Sequence, residues 1–386
     1  MLVRGCRLQI GAQCSSLLFS SWIGMRDQTP PPKSVSQRFS YLDVVRGLAA
    51  AMVVATHIFE LGVPNYRKVA GASFNLGLLG VLLFFIVSGT VISSSIERSK
   101  SLKVFWAQRF WRLFPAYWVS LVVSATLFLV FPSELNFLVY GHLKERFWAS
   151  FGANLTMLQG FLGFDHFIPA YWTLGYEMMF YFALSLLFAV KLGKHSHYLL
   201  WVLSALIVFF GVYGFLKGTH VGSFKLILCG YFWMGIWVQR MLKNEVTVKQ
   251  FWASIVAFQA AVAVTWYANF LVHPAPVPDA FAEFPYSPLA MAVAFFGSTI
   301  IFLSFLAARS REFPKAFIVL GNVSYSLYLF HPLAMSVGGK IFDPTVVPFL
   351  FTPIALTLTV LFTTLAYRYV ELPSLKKVKA VKLAAS

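Results

Sequence analysis

Charge is what this sequence most conspicuously lacks. Asp, Glu, Lys and Arg together make up 12% of its 386 residues, about half the share carried by a soluble globular domain. A surface facing water on all sides is therefore excluded, and the 59% of apolar residues must meet something other than a single soluble core. Lipid-exposed helices satisfy that composition. Cysteine is scarce too. Cys6, Cys14 and Cys229 form no metal-spaced pair and no disulfide framework, so neither a metal site nor a stapled scaffold is expected. Acids are fewer than half the bases, 14 against 31, giving a net charge of +17. In a soluble chain that excess would suggest nucleic acid. In a membrane chain Lys and Arg gather in cytoplasmic loops instead, and no nucleic-acid partner is expected. No repeat, low-complexity tract or second soluble domain is visible. The apolar patch from Leu17 to Ile23 is too broken for a signal peptide, and no small-residue cleavage site stands out. Met25 offers an alternative start, so residues 1–24 read either as a mis-assigned start or as a disordered tail.

What the sequence does have is apolar runs of about twenty residues, the length that spans a bilayer. They fall near 41–62, 75–96, 113–131, 171–190, 198–216, 223–240, 251–271, 288–308, 316–336 and 348–369. The expected fold is all-α, a polytopic membrane protein of about ten transmembrane helices. The stretch from Phe147 to Leu162, interrupted by Gly, Asn and Gln, reads as an interfacial or re-entrant segment rather than an eleventh span. Charge placement tests the count. With the N-terminus inside, the 30 basic residues other than Arg46 divide 23 inside to 7 outside, and every inside loop holds at least two. Such alternation predicts both termini in the cytoplasm. The chain divides into a cytoplasmic tail over 1–38, a membrane domain over 39–373 and a short basic tail over 374–386. The proline-containing outer segments from His273 to Pro288 and from Asp343 to Pro348 read as ordinary connectors.

Ionisable side chains are expensive in a bilayer, so each one is a functional hypothesis. The alternative, an end-of-helix Arg or Lys snorkelling to the interface, covers most of the basic residues. In the first span Arg46 and His57 are eleven residues apart, about 16 Å along one helix face. Asp43 lies one turn before Arg46 and can pair with it. His57 is either a packed hydrogen-bonding residue or a reactive one. In the fourth span Glu177 stands among Trp172, Tyr176, Phe180 and Tyr181. It reads as a structural hydrogen-bonder or as a group that handles protons or binds hydroxyls. In the ninth span Ser324, Tyr328 and His331 form one polar stripe, with Pro332 next to the histidine. His57, Glu177 and His331 are all expected in the outer halves of their helices, around a shared cavity. On the inner side Arg109 and Arg112, at i and i+3 near the end of a loop, would suit a diphosphate or would simply anchor the helix. Pro115 is compatible with an early helix position. The run from Phe84 to Gly89 places Ser88 beside a glycine, where backbones or a ligand can approach closely.

At these residues the chain resembles the acyltransferase-3 family of integral membrane acyltransferases, which includes bacterial O-acetyltransferases of surface polysaccharides. The matching features run from about Tyr41 to Pro373: LDVVRGLAA with Arg46 and His57 eleven apart, FFIVSG, the Arg109/Arg112 pair, WTLGYEMMFY, SYSLYLFHP and the closing RYVELP. The resemblance implies a ten-helix fold in the bacterial inner membrane and transfer of an acyl group, usually acetyl, from acetyl-CoA on the cytoplasmic side. The implied acceptor is a glycan or lipid-linked sugar outside or at the membrane, with no permanently bound cofactor. It implies His57 as base or acyl relay, Arg46 as its companion, Arg109 and Arg112 serving the donor entrance, and Glu177 in the active cavity. The fourth span departs from the commoner family pattern at Gly175–Tyr176 and Met178–Met179. No extracytoplasmic hydrolase-like domain follows the last span, which favours direct handling of the acceptor by the membrane domain. The competing expectation is a secondary transporter with His57 and Glu177 coupling protons, although no internal similarity between halves is visible.

Overall fold

A computed structural model of the chain describes residues 40–131, 143, 145–219, 222–272 and 287–385. The expected tails over 1–38 and most of the connector from His273 to Pro288 lie outside them. All regular structure among the described residues is helical. In chain order the helices are α1 (Ser40–Gly62), α2 (Tyr66–Ser73), α3 (Leu76–Arg98), α4 (Leu102–Val130), α5 (Phe147–Asn154), α6 (Trp172–Ala189) and α7 (Leu199–Lys217). They continue as α8 (Phe224–Leu242), α9 (Val248–Val272), α10 (Pro288–Ala307), α11 (Lys315–Ile341), α12 (Pro348–Ala366) and α13 (Leu372–Ala385).

Each of the ten expected spans coincides with a long helix, and the segment after Phe147 forms only the short α5 followed by turns. By length and apolarity alone nine of these described segments qualify as membrane spans, and α8 falls short. The reason is visible in its surroundings: every residue of α8 from Gly230 to Arg240 is buried. A helix shielded from lipid tolerates Gln239 and Arg240, provided that protein groups satisfy them. Arg240 pairs with Glu97 at 2.6 Å and with Glu245, and donates to Gly193 O at 2.8 Å. The outer helices α7, α9 and α12 instead expose Phe209, Leu216, Val256, Val360 and Leu361, as lipid contact requires.

Two close crossings hold the bundle centre. Gly47 of α1 faces Gly321 of α11, where an added Cβ would lie 2.7 Å from Gly321 N. Gly89 of α3 faces Gly235 of α8, where an added Cβ would lie 2.2 Å from Ile86 O. Small residues let backbones touch, which is how helices associate without a hydrophobic drive between them. Beside the second crossing, Phe232 of α8 stacks between Phe85 (4.3 Å) and Phe180 (4.1 Å), tying α3, α8 and α6 into one core. Gly235→Ala must part α3 from α8, at a cost of about 1–3 kcal/mol for overpacking. A lower melting temperature in detergent is the expected result, with no change for Gly152→Ala, where an added Cβ meets nothing within 4 Å.

Two boundaries differ from expectation. The third span begins not at 113 but at Leu102, because Ser101 caps it by accepting from Val104 N at 3.3 Å. Arg109, Arg112 and Pro115 therefore lie within a continuous 29-residue helix, and Pro115 is interior rather than early. The tenth span does not stop near 369. It passes through a π-helical turn, Tyr367–Glu371, into α13, which packs against α4. The segment from Asp343 to Pro348 is a fixed turn, with Thr345 N and Oγ1 both donating to Asp343 Oδ1 (2.8 and 2.7 Å).

Candidate active site

The start of α1 and the end of α12 meet on one face of the bundle, as an even number of crossings demands. Arg46 donates through Nη2 to Asp43 Oδ1 at 2.6 Å and through Nε to Gly321 O at 3.3 Å, so one side chain ties α1 to α11 at the glycine crossing. The charges acting on Arg46 come from Arg112 of α4, Asp43 of α1, Glu371 beyond α12 and Glu177 of α6. Glu177 in turn feels Arg109, Arg112 and Arg46, and accepts from Tyr181 OH within its own helix. Arg109 donates to Ser95 Oγ at 3.0 Å and lies over the Phe105 ring, while its Nε is buried without a hydrogen-bond partner. Three guanidinium groups and three carboxylates thus form one layer, with Glu177 and Glu371 buried and Asp43, Arg46, Arg109 and Arg112 partly buried. Opposite charges so placed compensate one another where burial limits their access to water.

About 16 Å along α1, His57 meets His331 of α11, Nδ1 to Nε2 at 2.9 Å with the rings stacked at 5.2 Å. The proton positions follow from chemistry. Pro332 sits inside α11 and has no N–H, so the carbonyl four residues back, Tyr328 O, loses its helical donor. His331 Nδ1 fills that vacancy at 2.9 Å, with Leu327 O at 3.2 Å. Carbonyls only accept, so Nδ1 carries the hydrogen and Nε2 of a neutral His331 is an acceptor. His57 Nδ1–H therefore donates to His331, and His57 Nε2 is left with the free lone pair. His331 is fully buried, whereas His57 is only half-buried.

Between the two layers lies a small apolar hollow of about 10 Å³. Ala50 and Val53 of α1, Phe84 of α3, Leu174 of α6, and Tyr325 and Tyr328 of α11 line it. Its few hydroxyls are engaged: Tyr328 OH with Thr173 Oγ1 (2.7 Å) and Ala170 O (2.9 Å), and Tyr325 OH with Leu113 O (2.8 Å).

The structure thus brings His57 to His331 and gathers Arg46, Asp43, Arg109, Arg112, Glu177 and Tyr181 into the other layer. Glu177 stands with the arginines rather than with the histidines. Tyr328 adjoins His331, their rings 6.0 Å apart. Ser324 spends its hydroxyl on Gly321 O at 2.7 Å, and Ser88 is buried beside the glycine crossing of α3 and α8. Trp172 opens α6 edge-on to Tyr176. Glu371 is the residue that sequence reasoning missed as a site candidate. It is 1% exposed; its Oε2 accepts from Ser326 Oγ (2.6 Å) and Ser326 N (3.2 Å), and its Oε1 has no partner. An acid within RYVELP was signal enough, but ending the span near 369 put it in the aqueous tail.

A polytopic helical membrane protein with an ionic layer toward the start of its first helix and a histidine pair three turns further along it is the class that fold and site define. The chain belongs to the acyltransferase-3 family: the model described as an acyltransferase domain matches residues 39–368. It is similar to nodulation protein 10 of Rhizobium leguminosarum bv. viciae, 28% identical over 314 residues that cover 76% of this chain and 82% of that protein. It is also similar to the O-acetyltransferase OatA of Staphylococcus aureus (strain NCTC 8325 / PS 47), 25% identical over 367 residues covering 87% of this chain and 58% of that protein. The chain spans about three fifths of the length of the staphylococcal relatives it matches. No solved structure matches it significantly.

Proposed function

We propose that the chain is a multi-pass O-acyltransferase of a bacterial plasma membrane, moving an acetyl group from acetyl-CoA in the cytoplasm to a hydroxyl of an exported glycan or lipid-linked sugar. The observation that carries this reading is the lone pair on His57 Nε2, fixed by the hydrogen bond that His331 accepts, on a side chain that is not fully buried. A neutral imidazole so oriented is a general base for a hydroxyl. The acceptor oxygen forms the ester bond as the thioester C–S bond breaks; His57 takes the hydroxyl proton and returns it to the leaving sulfur, so CoA leaves as the thiol. Family membership and the name of the staphylococcal relative support the acetyl group. At the donor end, Arg109 and Arg112 would hold the CoA phosphates in exchange for part of their contact with Glu177. The uncharged pantetheine arm is long enough to carry a thioester from one layer toward the other, and would part the apolar residues around the hollow between Val53, Phe84 and Tyr328 to do so.

Purified protein in liposomes, given acetyl-labelled acetyl-CoA on one side and envelope glycan on the other, is expected to yield base-labile label on the glycan and one free thiol per acetyl moved. Solute uptake without dependence on CoA would instead establish the carrier reading.

A further inference from the structure

Beyond His57, on the side away from Arg46, α1 ends at an open pocket of about 310 Å³, at the small end of the range for ligand sites. Glu60, Tyr66 and Arg67 line one wall, and Pro344, Thr345 and Pro348 the other. The geometry points to this pocket as the binding site for the glycosyl unit that carries the accepting hydroxyl. The proposal rests on the reading that His57 acts on a hydroxyl.

Position is the first argument. Glu60 follows His57 by three residues, about 4.5 Å along the axis and on a neighbouring part of the helix surface. A sugar held beside Glu60 brings its hydroxyls within reach of the histidine, while the donor layer lies at the opposite end of α1. Chemistry is the second. The hollow between the layers is apolar, whereas this pocket is lined by a carboxylate, a guanidinium and the Thr345 hydroxyl, whose hydrogen goes to Asp343 Oδ1 and whose oxygen can still accept; such groups meet sugar hydroxyls in pairs. The Tyr66 ring and the prolines supply apolar flanks for sugar C–H faces. Size is the third: the space suits one glycosyl residue and would not hold CoA.

The walls are also built in advance, which limits the ordering cost of binding. Thr352 Oγ1 donates to Gly62 O at 2.9 Å, pinning α12 to the end of α1. Tyr66 packs edge-on between Phe59 (5.7 Å) and Phe74 (6.1 Å). The α2 segment is anchored by Ser287, whose N and Oγ donate to Gly71 O and Ala72 O, both at 2.6 Å. The turn from Asp343 to Pro348, an ordinary connector by sequence, is the facing wall.

The test uses the natural acceptor in place. A strain deleted for the gene is complemented with wild type, Glu60→Gln, Arg67→Ala or Thr345→Trp, the last filling the pocket from an exposed turn. Base-labile acetate on envelope glycans is measured, alongside acetyl-CoA binding and melting temperature of the purified proteins. Glycan acetate is expected to fall at least about 10-fold in Thr345→Trp and several-fold in Glu60→Gln and Arg67→Ala, with acetyl-CoA affinity held within about twofold. A tenfold change corresponds to about 1.4 kcal/mol of acceptor binding. Wild-type glycan acetate in Thr345→Trp and Glu60→Gln, both folded, overturns the pocket while leaving the acyltransferase reading intact. Failure of the wild-type gene to restore any glycan acetate overturns that reading, and the pocket with it.

Discussion

His57→Ala is expected to abolish transfer, with a loss of at least about 10²–10⁴-fold, the usual weight of a positioned general base. The variant should still melt near the wild-type temperature in detergent and still bind acetyl-CoA, because His57 is half-buried and no charged partner depends on it. His331→Ala should fall between wild type and His57→Ala. It leaves the base in place but removes the acceptor that holds His57 Nδ1–H and selects the reactive tautomer. His331→Gln should recover part of that loss, since an amide oxygen can accept the same hydrogen. Steady-state rates on all three variants make the comparison, and full activity in His57→Ala would sink the mechanism.

Arg46→Ala should have the second largest effect, and a different kind. It removes the cation that pairs with Asp43, bonds Gly321 O and faces Glu177 and Glu371, leaving carboxylates of the ionic layer undercompensated. Breaking one partner of a fully buried pair costs about 3–5 kcal/mol; the Arg46 side chain keeps 19% exposure, so a cost below that range is expected. Folded yield should drop accordingly. Adding Glu371→Gln should restore yield by removing one orphaned charge, yet transfer should stay low. Size-exclusion profiles in detergent read the first outcome and acetyl transfer the second. Recovery of both would reduce Arg46 to a purely structural role.

The helix count was legible because lipid demands about twenty apolar residues per crossing, and each such run became a helix. The single-helix pairs were equally plain: Asp43 with Arg46 and Glu177 with Tyr181 follow from a 3.6-residue period. Contacts between helices were not. His57 and His331 are 274 positions apart, and no local pattern states that their rings stack. Depth also misled. Counting from the helix end places Glu177 with the histidines, but its electrostatic neighbours are three arginines of other helices. Charge composition hid the early start of α4, since arginines read as loop until Glu177 supplies a partner for them. Glu371 was hidden for the same reason.

The hydrogen-bond series at the histidine pair ends on Tyr328 O, a backbone carbonyl with no proton to pass on. A relay that terminates in such a group is a cul-de-sac. Along this series a proton that reaches His57 Nε2 leaves by the same lone pair, so the pair can lend and borrow within one turnover. A proton-coupled carrier needs a thoroughfare. An ester-forming enzyme, which removes one proton from a hydroxyl and delivers one to a thiolate, needs only a place to keep it in between.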